Sequence, residues 1–484
     1  MFLGVDLGTS GIKVILTNDD GEIVDSASSA YAVSRPSPLW SEQDPQLWWQ
    51  GFVAAMDMLH QRNELTGVQA LGLSGQMHGA TLLDSNNNII RPAILWNDGR
   101  CEAQCKELEQ QVPEALEITG NIIMPGFTAP KLLWMKQYEA ENFAKIHTVL
   151  LPKDYLRFLL TADYATDMSD AAGTMWLDVG KRRWSDKMLA ACGLTQQHMP
   201  KLYEGSEITG TLLPEIAQRW GMSAIPVVAG AGDNAAGAIG VGIIKPGQAM
   251  LSLGTSGVYF AVSQGFKSNP GSAVHSFCHA LPNTWHLMSV MLSAASCLQW
   301  YGDHIAKRPV VELLTELHEA QIDLCCAPLF LPYLSGERTP HNNPAASGSF
   351  FGLRHSTDQA TLTHSILEGV SYAFADCVDS LHASGVCADD ITLIGGGAKS
   401  HYWRQLLADV LQRPVNYRQG GEVGPALGAA RLAQLAINHD LTLEQICPQP
   451  KLEAIFTPDK ARAKIYAERR LKFKQLYRQL TPLF

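Results

Sequence analysis

Five residues occur twice in this chain, letter for letter: Leu7-Gly8-Thr9-Ser10-Gly11 and Leu253-Gly254-Thr255-Ser256-Gly257. Each copy lies between two apolar runs, residues 2–5 and 12–16 for the first, 249–253 and 258–262 for the second. An apolar run, a Gly/Ser/Thr turn and another apolar run read as a β-hairpin. After the first hairpin, Asn18-Asp19-Asp20-Gly21 signals a further turn back. Two like hairpins half a chain apart divide the 484 residues into related halves, an α/β duplication. The turn is not a Walker A loop, because it lacks the Gly-Lys-Ser/Thr ending. Nor is it a Rossmann fingerprint, because it leads into a strand rather than a helix. It offers a nest of backbone N–H groups, with hydroxyls from Thr9 and Ser10, suited to phosphate oxygens. Gly8 and Gly11 let the backbone come close. Asp6 precedes the first copy, and Ser252 stands at the matching place in the second. A carboxylate beside a phosphate nest points to Mg²⁺ between them, directly or through water. Two facing nests with one acid are expected of an ATP site in a duplicated fold.

Composition narrows the classes. A net charge of −10 with no Lys/Arg cluster argues against a nucleic-acid or anionic-membrane surface. No apolar run reaches membrane-spanning length, and the N-terminus enters a strand at once, which leaves no room for a signal peptide. Ten cysteines without one CxxC pair form neither a disulfide framework nor a zinc site. They are expected to be reduced thiols of a cytoplasmic protein.

Asp44-Pro45 starts a helix expected over 45–62, with Leu47, Phe52, Met56 and Leu59 as its buried stripe. A strand over 68–74 ends in a Gly-bracketed loop that presents Gln76, Met77 and His78. A hairpin is expected next, with strands 81–84 and 89–95, and it ends in Trp96-Asn97-Asp98-Gly99-Arg100. Polar groups at strand ends beside a tryptophan suit a sugar, which needs several hydrogen bonds and a flat apolar face. The bland alternatives are that His78 bonds its own loop and that Trp96 caps the core. Asp154, after Leu151-Pro152-Lys153, could touch a ligand but reads first as a helix-capping carboxylate. The apolar strand near 225–229 runs into Gly230-Ala231-Gly232-Asp233-Asn234 and then a helix rich in Ala and Gly. Asp233 is either the helix cap or a catalytic base at a strand's end. Gly395-Gly396-Gly397-Ala398, between a strand and a helix, lets a flat base or ribose lie on the backbone. Residues 423–430 open another small-residue helix, and 459–480 form a basic amphipathic helix with a solvated face.

Together these stretches resemble the FGGY carbohydrate kinases, of the actin/hexokinase/Hsp70 ATPase superfamily. Residues 124–134, Met-Pro-Gly-Phe-Thr-Ala-Pro-Lys-Leu-Leu-Trp, look like the family's first signature; residues 348–353, with Glu368 in the next helix, look like its second. The resemblance covers nearly the whole chain. It implies two ribonuclease-H-like domains, 1–244 carrying the sugar loops and the base, and 245–484 carrying the nucleotide, with a cleft between them. The implied reaction is in-line transfer of the ATP γ-phosphoryl group to a sugar hydroxyl. Asp233 would accept the proton, Asp6 would hold hydrated Mg²⁺, and the nests at Gly8, Thr9, Ser10, Gly254 and Thr255 would hold phosphates. Gly396, Gly397 and Ala398 would line the adenosine. Met77, His78, Trp96 and Asn234 would contact the sugar with Asp233. The loops 76–79 and 231–234 look most like those of the family's D-xylulose-phosphorylating members, so a ketopentose is the expected acceptor. Gluconate, ribulose and glycerol are the alternatives within the family, and a nonenzymatic ATP-dependent sensor is the alternative outside it. The expected partners are a small-molecule sugar and ATP, with no nucleic acid and no membrane; a monomer and a homodimer both stay open.

Overall fold

The computed structural model describes residues 1–419 and 424–484. Its two main sheets have seven strands each among the described residues and share the topology of a five-stranded core. In the first, Phe2–Leu7, Gly11–Thr17 and Ile23–Ala30 form an antiparallel meander. Ala70–Gly75 joins the other side of Phe2–Leu7 in parallel, and Pro226–Val228 adds in parallel beyond it. In the second, Gln248–Leu253, Gly257–Ser263 and Trp285–Met291 form the meander. Asp390–Ile394 and then Val415–Arg418 add in parallel on the other side. Both repeats of Leu-Gly-Thr-Ser-Gly thus fall at the turn between the first two strands of a sheet. This is the duplication expected from the repeat, in the ribonuclease-H-like form that the family resemblance implies.

The helix Pro45–His60 begins where Asp44 accepts a hydrogen bond from the Gln46 N–H, and it buries Trp48, Phe52, Met56 and Leu59 on the first sheet; Leu47 is only half-buried. The hairpin over 81–95 forms in part: Leu83 bridges Ile89, Ala80 bridges Ile94, and the Ile90 N–H donates to the Leu82 carbonyl at 3.0 Å. Thr81–Leu83 pairs with Thr148–Leu150, and Ala93–Ile94 with Glu42–Gln43. The turn at Ser85-Asn86-Asn87-Asn88 reverses the chain, and each arm takes a second partner from elsewhere. Asp154 is not a helix cap: it is fully buried in ion pairs with Lys153 and Arg157. The C-terminal helix Lys460–Leu480 is more than a solvated face. It buries Tyr466 and Phe473, and Arg469 reaches Glu368 at 2.6 Å inside the second core.

The helix Gly424–Ile437 belongs by sequence to the second half but packs on the first sheet and on Asp233–Gly240. Val423, read as part of its opening, lies outside the described residues. The approach is backbone to backbone. A Cβ on Gly72 would lie 1.9 Å from the Ala429 carbonyl oxygen, and one on Gly428 would lie 1.8 Å from that of Ala236. Arg431, buried, donates to the carbonyls of Ile239 and Gly240 at 2.9 and 3.1 Å, where the Asp233–Gly240 helix ends. The helix that carries Asp233 is therefore clamped to the first sheet by a segment from the other half. Gly428→Ala is expected to destabilise by about 3 kcal/mol or more, since the helices must part. Gly237→Ala, where a Cβ meets nothing within 4 Å, is the control and is expected to be neutral or slightly stabilising. Equal urea midpoints for the two variants would contradict the clamp.

Candidate active site

Three strand ends lie side by side in the first sheet. Asp6 pairs across to Ser74, and Ala231 pairs to the other side of Ser74, followed by Gly232 against Gly75. Asp233 comes one step later, as the first residue of its helix; Gly232 holds the cap position and makes no side-chain cap bond. Parallel pairing thus brings Asp6 and Asp233 to the same edge. Ser74 Oγ donates to Asp6 Oδ1 at 3.2 Å. Asn234 donates twice to Asp233 Oδ1, from its backbone N–H at 2.7 Å and from Nδ2 at 2.9 Å. Asp233 Oδ2 is left for a ligand. Burial pushes the Asp233 carboxyl up to about 6, against the pull of the Asn234 bonds. Burial, and then the Asp233 charge, push Asp6 up to about 7, against the Ser74 bond and Lys13. Two desolvated carboxylates at one edge are poised to take up a proton or a cation.

His78 adopts the left-handed backbone region, with φ 69°, in the loop beyond Gly75. Its carbonyl is held by Thr128 Oγ1 at 3.1 Å and by the buried Lys131 ammonium at 2.9 Å. Its Nδ1 lies 2.6 Å from the Gly173 carbonyl oxygen. A carbonyl only accepts, so Nδ1 carries the proton and Nε2 is the free acceptor. Burial and the Lys131 charge hold the imidazole down at about 3, neutral at any working pH. Met77 is buried against Gly232 and Gly173; a Cβ on Gly232 would lie 2.9 Å from Met77 Cγ. His78 therefore does not bond its own loop, and Met77 and His78 line the approach to Asp233.

The first nest is more occupied than its sequence implies. The Gly8 N–H closes the turn on the Gly11 carbonyl at 2.9 Å, and the Gly8 carbonyl accepts from Tyr31 Oη at 2.7 Å. Thr9 Oγ1 donates to Gln76 Oε1 at 3.1 Å and accepts from Trp96 Nε1 at 2.9 Å. Ser10, whose side chain is exposed, keeps its hydroxyl accessible at this turn. Trp96 does not cap the core: it is 44% exposed and tied to the nest rather than to His78.

Gly254 and Thr255 line a cavity of about 900 Å³ in the second half. Gly396 and Gly397 form the facing wall, and Val310, Leu314 and Tyr402 supply apolar surface. Its size and lining fit a nucleoside. Ala398 is not on that wall: its methyl is buried in the core below, and its N–H bonds the Gly395 carbonyl.

Residues 1–240 match the N-terminal domain, and residues 249–437 the C-terminal domain, of the FGGY family of carbohydrate kinases. The chain belongs to this family. It is 60% identical to the xylulose kinase of Escherichia coli (strain K12) over 484 residues, 100% of each chain. Its structure resembles that of a xyloylose kinase from Brucella ovis, with TM-score 0.96 and 46% identity over 100% of both chains. It also resembles a xylulose kinase from Rhodospirillum rubrum, with TM-score 0.93 and 28% identity over 100% of this chain and 99% of that one.

This FGGY kinase places residues at the His78 loop that sequence reasoning missed. Phe277, from the second half, lies against His78 with centroids 6.4 Å apart, and His275, also from the second half, lies 5.7 Å from Phe127, which itself packs on His78 at 5.0 Å. Arg338 Nη1 lies 3.4 Å from His275 Nε2. Gln43 links Thr9, Gln76 and Trp48 beneath the first nest. No local pattern marks these residues, because each acts through a partner far along the chain. Lys131 was legible as part of the first family signature; its hold on the His78 carbonyl was not.

Proposed function

We propose that this kinase transfers the γ-phosphoryl group of ATP to the 5-hydroxyl of D-xylulose. The observation that carries this reading is the pair at one sheet edge: Asp233 with Oδ2 unengaged, and Asp6 across Ser74. Asp233 Oδ2 takes the proton of the attacking hydroxyl, and Asn234 holds its other oxygen. His78 Nε2 accepts from a sugar hydroxyl, and Met77 gives the sugar an apolar wall. The 900 Å³ cavity takes the nucleoside, with its phosphates directed toward the nests at Ser10 and Thr255. Phosphoryl transfer of this kind is mostly positioning and charge neutralisation. The choice of D-xylulose rests on the full-length relative with 60% identity.

Magnesium fits the residues present. Among the described residues no group of three or more His, Cys, Asp or Glu side chains could enclose a metal. Asp6, half-buried and forming no ion pair among the described residues, is a carboxylate that a hydrated cation shared with phosphates could use. When bound, the ion would neutralise phosphate charge. We divide the chain into units 1–244 and 245–484, with Gly424–Ile437 crossing back to the first. No helix among the described residues is long and apolar enough to cross a membrane, and all ten cysteines are free. We place the kinase in the cytoplasm.

An assay of ADP release with D-xylulose, D-ribulose, gluconate, glycerol and no sugar tests this reading. D-Xylulose is expected to give the highest kcat/KM. His78→Ala is expected to raise its KM roughly tenfold, with the KM for ATP within about twofold, because one sugar hydrogen bond is lost. A higher kcat/KM with gluconate or glycerol would overturn the substrate. ADP release unaffected by any sugar would favour the sensor.

A further inference from the structure

Behind the Asp6–Ser74–Ala231 edge lies a buried charge cluster. Lys153 Nζ is 2.6 Å from Asp154 Oδ1, 2.7 Å from Asp167 Oδ1 and 3.3 Å from Asp170 Oδ2. Arg157 pairs with Asp154 at 2.5 Å. All five side chains are fully shielded from solvent. A buried cluster of five ionisable side chains stabilises a fold poorly compared with apolar packing, so geometry is the better explanation for it. Its output is traceable. Asp167 Oδ2 accepts from the Ser169 and Asp170 N–H groups at 2.7 and 3.2 Å, and also from Ser169 Oγ. Ser169 Oγ in turn accepts from the Gly232 N–H at 3.1 Å, at the peptide that leads into Asp233. At the other end of the same short segment, the Gly173 carbonyl takes the His78 Nδ1–H. Gly173 admits no side chain there: a Cβ would lie 2.6 Å from the His78 ring.

We propose that the segment from Asp167 to Gly173, anchored by Lys153, is a template that sets Asp233 and His78 relative to each other, with Ser169 as the positioning residue for Asp233. This rests on the roles given to Asp233 and His78 above. The segment bonds Gly232 at one end and His78 at the other, and it is only two helical turns long or less. Any shift of it moves both contacts together. Hydrogen bonds made by a capped, ion-paired segment resist such a shift better than a free loop would.

The test uses the full-length enzyme. Ser169→Ala removes the acceptor for the Gly232 N–H without touching substrate. It is expected to lower kcat roughly tenfold or more, since small displacements of a reacting group are costly. The KM for ATP, and the D-xylulose affinity measured by calorimetry without nucleotide, are expected to stay within about twofold. Ser169→Thr, which keeps the hydroxyl, is expected to restore kcat. Gly173→Ala, which displaces His78, is expected to weaken sugar affinity. The double variant is expected to fall short of the product of the single effects, because both disturb one segment. If Ser169→Ala does not fold, Ser169→Cys, a weaker acceptor of similar size, carries the same comparison. A kcat within twofold of the parent, or a loss that Thr fails to restore and that tracks the folded fraction, would overturn the template. Failure of the functional reading would look different: Asp233 variants would keep turnover whatever Ser169 does.

Discussion

Asp233→Asn is expected to lose turnover by about 10²–10⁴-fold, the usual effect of removing a general base, while the protein stays folded. The fold is also expected to gain stability above about pH 6. In the free protein Asp233 sits near 6 and Asp6 near 7, both above the ordinary carboxylate value of 3.8. The folded state therefore holds protons that the unfolded state has released. The stabilising contribution of these two groups is complete below about pH 4 and is lost as pH rises through 6 to 7. At pH 8 the wild-type site carries two desolvated like charges. An amide at Asp233 removes one of them and the repulsion with it. Melting temperatures measured without magnesium or nucleotide should favour Asp233→Asn at pH 8 and converge with wild type near pH 4. Turnover of the wild type should rise with pH through the range in which Asp233 loses its proton. Turnover of Asp233→Asn near the wild-type rate would remove the base assignment. A lower melting temperature at pH 8 would instead give Asp233 a structural role in its helix.

Asp6→Asn is expected to cost about 10²–10³-fold in turnover, the scale of losing one charged contact to the reacting phosphates. Sugar binding without nucleotide should persist, because the side-chain hydrogen bond of Asp6 is to Ser74 rather than to Met77 or His78. The magnesium concentration for half-maximal rate should rise sharply. The second half supplies the contrast: Ser252 stands where the first half has Asp6, so only one nest has a carboxylate to share with a cation. Retained turnover with an unchanged magnesium requirement would place the cation elsewhere. Calorimetry with D-xylulose and activity titrated against magnesium separate these outcomes in one preparation.

The sequence by itself determined the duplication, the hairpin at each head, the two Gly/Ser/Thr turns and the strand-end setting of Asp233. These are local: each is written in a run of a few residues whose dihedral needs and apolar spacing leave little choice. The expected helix at Pro45 was legible for the same reason, since Asp44 caps it two residues on. The sequence also carried the family signatures, which led to the same fold. The turn and bridged arms over 81–95 were legible, but the further strand each arm pairs with was not, because alternation and a turn specify a strand but not all of its partners. Tertiary structure decided the rest. Asp6 and Ser74 meet across 68 residues, and Asp233 joins them only because Ala231–Gly232 pairs to Ala70–Gly75 in parallel. His78 is neutral because packing buries it beside Lys131, and its proton sits on Nδ1 because a carbonyl 95 residues away accepts from that nitrogen. Arg431 closes the Asp233 helix from 192 residues further on. Thr9, legible as a phosphate hydroxyl, is instead engaged by Gln76 and Trp96, brought to it by neighbouring strand ends. In each case one short segment states which groups are available. Which of them remain free for chemistry depends on the desolvation and hydrogen bonding that distant segments impose, and that exists only once the chain has packed.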